Sequence, residues 1–220
     1  MPHIKIGPQI WMNSNLDLNS FRNGDKILEA SSNMEWMKCA KNKIPAWCYY
    51  NNEPILGEVF GKIYNQWATL DPRGLAPEGW RIATEQDWLA LGDHLGGISI
   101  AGGKIKSIND WGYHEDDYLK AKKMTKGEIS NGVLQWSDDQ TSGTIENNES
   151  SFTALPGGYR NQLGNFMDIG IYAYWWSVLN EKKPNYKFQC NCFYSAYRSL
   201  MLSSMTVRDC EGFSVRCVKN

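Results

Sequence analysis

Two thiols separated by one residue, Cys190 and Cys192, carry the sharpest chemical signal in this chain. On an extended strand alternate side chains share a face, so the pair could offer two soft sulfur ligands to an ion such as copper(I). The spacing is too tight for an easy disulfide, because alternate residues lie far apart along the strand. Around them runs a set of aromatic and amide side chains: Asn185, Tyr186, Phe188, Asn191, Phe193, Tyr194 and Tyr197. Aromatic rings give rigid contact area at low entropic cost and asparagines give adaptable hydrogen bonds, the mixture found in surfaces that must fit a partner. These seven are the candidate ligand-binding residues. Strand alternation requires that about half of the rings in the segment face inward.

Other chemistry has less behind it. His94 falls at a helix end, and His114, Glu115, Asp116 and Asp117 open a polar stretch where acids are ordinarily just solvated. There is no paired Cys/His spacing of a zinc site, and no nucleophile elbow, P-loop or dinucleotide fingerprint. Gly102-Gly103 and Gly157-Gly158 lack a strand-to-helix phosphate context and are expected in tight turns. Lys120, Lys122, Lys123 and Lys126 read as a solvated helix face. A net charge of -1 gives no general pull towards nucleic acid or anionic membrane. The expectation is a non-enzymatic chain with no catalytic residue, no metal and no cofactor.

The elements that must position the candidate site follow from pattern. Residues 5–12 alternate and predict a first strand. Residues 13–45 are polar, with a short helix near 34–40, and residues 47–50 form an aromatic strand. Val59, Phe60, Ile63, Tyr64, Trp67 and Leu70 have the spacing of one helical face and predict a helix over 56–70. Thr84 and Asp87 make a capping-box start for a second helix, with Trp88, Leu89, Leu91 and Leu95 on its buried side and Gly96-Gly97 at its end. A polar insert occupies about 110–150. Strands are expected over 152–155, 174–178, 186–194, 196–202, 205–209 and 213–219. Two early helices followed by strands predict an α+β domain, and no linker divides residues 1–220. With 220 residues, one hydrophobic core suffices. Ten Trp, eleven Tyr and seven Phe let few elements close it. Six cysteines allow fifteen full pairings and do not settle the redox compartment. No apolar run approaches a membrane span. The opening residues lack the apolar core and cleavage site of a secretory leader.

Several stretches resemble a known family: IKIGPQIWM, WCYYNN, GEVFGKIYNQWA, LAPEGWRIATEQDWLAL, AGGKIK, ESSFTALPGGYR, and AYWWS through GFSVRCV. In this order they are similar to the Fibrobacter succinogenes major paralogous domain over nearly the whole chain, with 111–145 as an insert. The resemblance implies a C-type-lectin-like fold, with first and last strands paired and two helices flanking small antiparallel sheets. That layout is shared with formylglycine-generating enzymes and with the variable proteins of diversity-generating retroelements. It implies packing roles for Trp80 and Trp88 and a structural hydrogen-bonding role for Arg81. It also supplies the alternative activity, a copper oxidase using Cys190 and Cys192, although their spacing is narrower than in those enzymes. Lys183-Pro184-Asn185 is similar to a lectin calcium motif without its acid. Ala76 stands where the family usually has a cysteine; if that cysteine bridges to one like Cys217, the staple is missing here, which favours folding in a reducing cytoplasm.

The leading expectation is a ligand-recognition domain, an adhesin or receptor-binding module, with a variable face near its carboxyl end. Residues 190–199 contain only types that pyrimidine-ended codons encode, as adenine-directed retroelement diversification would leave them. The expected partner is a protein or glycan on a cell surface, met outside the cell or from a virion, without nucleic acid and without membrane insertion.

Overall fold

The computed structural model describes residues 2–108, 110–112, 147–178, 190–208 and 210–220. The alternation at the start makes a hairpin in place of a single strand: β1 (His3–Ile6) turns at residues 7–8 and pairs with β2 (Gln9–Met12). After β3 (Leu28–Glu29) comes α1 (Asn33–Asn42), started by Ser32, whose hydroxyl accepts the Glu35 N–H. Lys43 ends it in the left-handed conformation, its N–H returning to Ala40 and Cys39 carbonyls. Then follow β4 (Ala46–Cys48), a 3-10 turn (Tyr50–Asn52) and α2 (Pro54–Phe60).

The helix expected over 56–70 is broken here. The chain leaves α2 at Gly61, runs as β5 (Ile63–Asn65) between β4 and the later strand Gly212–Phe213, and resumes as the single turn α3 (Gln66–Thr69). Helical spacing gave way to sheet pairing because every residue of β5 is buried and Asn65 serves as the α3 cap, accepting the Ala68 N–H at 3.0 Å. β6 (Trp80–Ile82) leads into α4 (Glu85–His94), where Thr84 and Asp87 form the full capping box. Its inner face is Trp88, Leu91 and Gly92; Leu89 lies one step round the helix and is 41 % exposed.

Residues 98–105 form α5 (Ile98–Ile105), so Gly102 and Gly103 are helical and not in a turn. A Cβ on Gly102 would stand 2.1 Å from the Met201 carbonyl oxygen, so glycine lets this helix touch backbone directly. Gly157 and Gly158 likewise lie in a strand, β7 (Gly157–Arg160), and Gly158 sits at φ 62° with Met167 backbone pressed against it. Residues 152–155, expected as a strand, form only an isolated bridge, Ala154 with Lys106, because Thr153 turns the backbone at φ 56°. The chain continues through β8 (Phe166–Ile169), β9 (Tyr172–Ser177), β10 (Cys190–Ala196), β11 (Leu202–Val207), β12 (Gly212–Phe213) and β13 (Cys217–Lys219). The stretch expected as a strand over 196–202 is mostly the turn joining β10 to β11, with Arg198 at φ 57°.

Among the described residues the strands form two sheets, and the fold is α+β. One orders its strands β1-β2-β13-β6; the last strand pairs with the second arm of the opening hairpin through Val218 and Trp11. The other runs β11-β10-β9-β7-β12-β5-β4-β3, with β8 alongside β7. Between them and α4–α5 lies a core centred on Trp88, with ring centroids of Trp11, Trp175, Phe193 and Phe152 at 4.9, 5.2, 5.5 and 5.8 Å. Among the described residues, buried Arg216, Arg160 and Lys106 clamp the loops to this frame. Arg216 donates to the Met12, Phe152 and Thr153 carbonyls and to Asn15 Oδ1, all at 2.8–2.9 Å. Arg160 holds the Ala30 and Gly164 carbonyls, and Lys106 those of Ala196 and Ser199.

Candidate functional site

Strand alternation sorts β9 and β10 onto two faces. Trp176, Tyr174 and Tyr172 stand opposite Cys192, Tyr194 and Ala196, and share one side of the sheet. Ala173, Trp175 and Phe193 point the other way, into the core against α4 and α5. β11 extends the first side with Ser203 and Met205, which pair with Tyr194 and Cys192.

That side grades from closed to open. Trp176 and Cys192 are buried, Tyr174 is 7 % exposed, Tyr172 and Tyr194 are half-buried, and Met205 is 39 % exposed. Tyr172 stacks on Tyr174 at 5.4 Å between centroids, and Tyr194 leans on both at 6.2 and 5.9 Å. Tyr159 of β7 continues the row, 5.1 Å from Tyr174 and stacked at 5.6 Å on Phe213. Four tyrosines therefore form one connected platform whose floor is Phe213 and Trp176.

Two carboxylates flank it. Asp168, in the left-handed region at φ 65°, accepts the Tyr174 hydroxyl at 2.9 Å. Glu211 immediately precedes β12 and acts on the Tyr159 phenol, and burial pushes its carboxyl above the usual range. Among the described residues neither carboxylate has a cationic side chain within ion-pair distance. Arg208, near Glu211 in sequence, sends its guanidinium to Gln162 at 2.7 Å. The combined field reaches the rings: burial first, then Asp168 and Glu211, raise the Tyr159 phenol, and burial and Asp168 raise Tyr174.

The seven sequence candidates do not converge. Asn185, Tyr186 and Phe188 lie outside the described residues. Tyr194 is on the platform. Asn191 is half-buried on the opposite side, its amide oxygen accepting from Thr206 at 3.2 Å. Phe193 is 1 % exposed and stacked on Trp88, so it packs the core and offers a ligand no ring surface. Tyr197 is half-buried in the β10–β11 turn, packed beside Gly112. Tyr159, Asp168, Tyr172, Tyr174 and Met205 were not among the candidates. The signal that could have found two of them is Tyr-Ala-Tyr at 172–174, the period of a half-open strand.

Cys192 is buried, and burial above all pushes its thiol well above the ordinary range. His94 ends α4 beside Gly7; His114–Asp117, the four lysines from 120 to 126 and the 183–185 motif fall outside the described residues. Among the described residues no three His, Cys, Asp or Glu side chains cluster as a metal site, and no helix is long and apolar enough to cross a membrane. Arg81 and Trp88 have structural surroundings, Arg81 paired with Asp87 and Trp88 buried.

Comparison with curated proteins and with solved structures returned no significant match. The family model described as the Fibrobacter succinogenes major domain matches residues 4–219, and the chain belongs to that family.

Proposed function

We propose that this chain is a ligand-recognition domain of C-type-lectin-like type, without catalytic activity, and that its binding face is the tyrosine platform on the β9–β10–β11 sheet. The observation that carries the reading is a connected row of four tyrosines, three of them half-open to solvent, fixed on strands whose reverse side is packed core. Rings held this way present contact area without ordering cost on binding. Tyr194 lies in the segment expected to vary, so diversification there would change the platform's edge; Phe193 and Cys192 of the same segment are buried, so at those positions variation would be confined to residues that still pack the core. The partner is a protein or glycan on a cell surface, and an adhesin or phage receptor-binding role fits such a face. The oxidase reading has less support, because a thiol buried and shifted upward like Cys192 is a poor ligand for an incoming ion.

The test is a glycan array and a cell-surface capture, each run with the wild type and with a Tyr172→Ala/Tyr194→Ala variant. Hits that disappear with the variant support the reading; hits that persist unchanged move the binding face elsewhere. For diversification the encoding DNA decides: a near-identical repeat differing only at adenines, beside a reverse-transcriptase gene, is the expected finding.

A further inference from the structure

Resting on that reading, we infer that the tyrosine platform takes a basic side chain, a lysine ammonium or arginine guanidinium, presented by a protein partner. The argument is charge complementarity on an aromatic surface. Ring faces attract cations through their quadrupole, most strongly where water is partly excluded. Here four phenol rings meet within 5.1–6.2 Å, and three are half-open.

The flanking acids set the sign. Asp168, on β8 beside the Tyr159 partner Met167, and Glu211 both act on the Tyr159 phenol. Among the described residues Asp168 has no ion pair, whereas Glu211 is partly offset by Arg208, whose backbone N–H donates to it at 3.3 Å. Elsewhere in the protein the cation–aromatic motif is already filled from within. Lys62 lies over Trp47 at 4.4 Å, Arg160 over Phe166 at 4.6 Å, and Arg216 over Phe152 at 4.3 Å. The platform has the rings and the acids of such a site, and no described cation lies over its tyrosines. Asp168 is also held in a left-handed conformation that costs a non-glycine residue energy, and the Tyr174 hydroxyl fixes its carboxylate towards the rings. One carboxylate oxygen is taken by Tyr174; the other can accept from an incoming N–H. A bond between a carboxylate and a charged donor is the stronger kind.

The probe is a tetralysine peptide titrated into the full chain, with tetra-acetyllysine as the neutral match. Saturable binding of tetralysine is expected, weakened at least about tenfold by Asp168→Asn and by Tyr194→Ala, and absent for the acetylated peptide. Asn tolerates the left-handed backbone and still accepts from Tyr174, so Asp168→Asn removes charge while leaving the fold in place. Glu78→Gln, an exchange at an acid away from the platform, is expected to change nothing. Equal binding of the acetylated peptide, or indifference to Asp168→Asn, overturns the inference. If tetralysine fails to bind while array hits still depend on Tyr172 and Tyr194, the cation inference falls and the binding face stands; if those hits are also indifferent to the tyrosines, both fall.

Discussion

Adjacent residues on β10 carry opposite duties, and this can be measured. Phe193 stacks on Trp88 in the core while Tyr194 leans onto the open platform. Phe193→Ala should cost about 3–5 kcal/mol of stability, the range for emptying a buried phenyl site. Tyr194→Ala should cost far less, under about 2 kcal/mol, since its ring is only half-buried. Denaturant unfolding of the two variants checks this, and similar losses would show the strand's faces misassigned. The thiols give a second residue-scale expectation. Burial pushes Cys48 and Cys217 up to about 12, and raises Cys192 further, whereas Cys210 is half-exposed. At about pH 8 a thiol reagent should therefore modify Cys210 in the native protein and reach Cys48, Cys192 and Cys217 only after unfolding. Peptide mapping after a short pulse reads this directly, and rapid native labelling of Cys192 would contradict its burial.

At the scale of elements, the α4 start is the most tightly specified piece. Asp87 caps Thr84, pairs with Arg81 and accepts from Gln9 at 3.0 Å, so one carboxylate joins α4, β6 and the opening hairpin. Burial works to raise its carboxyl, but the Arg81 and Thr84 bonds outweigh it and hold the group below the usual aspartate range. A carboxyl lowered on folding stabilises above its unfolded value and loses that contribution as pH falls through the folded one. Asp87→Asn is expected to cost about 2 kcal/mol near neutral pH and to flatten the decline of stability between about pH 5 and 2. Melting curves across that range check it; parallel curves for the two proteins would remove Asp87 from the account. Gly102→Ala drives a methyl into the Met201 carbonyl and should cost about 1–3 kcal/mol or more, despite alanine's better helix propensity. These contrasts show what the chain disclosed. The capping box and the Trp88 face were readable because their signals are local. The α2–β5–α3 break was not, because residues 59–70 keep helical spacing and only pairing with β4 and β12 overrides it. Gly102 was misplaced for the same reason, its partner being Met201, about a hundred positions away. Tyr194 was legible as a candidate by composition. Tyr159 and Asp168 were not, since only sheet order brings β7 and β8 beside β9.

Across the whole molecule, aromatic packing and buried cations make a stiff frame, and the tyrosine platform is its open side. The Trp88 cluster closes one face of the β9–β10–β11 sheet, and Arg160, Arg216 and Lys106 tie loops to carbonyls instead of carboxylates. Buried cations satisfied in this way are costly to disturb, so they hold loop geometry as well as adding stability. On the recognition reading proposed above, such a frame would hold the exposed tyrosines in place for a partner. The direct test is calorimetric titration of an array-identified ligand into the wild type and the Tyr172→Ala/Tyr194→Ala variant, with the melting temperature of each recorded. The account predicts at least about tenfold weaker binding by the variant with melting temperature lowered only a few degrees; undiminished affinity in a folded variant would contradict it.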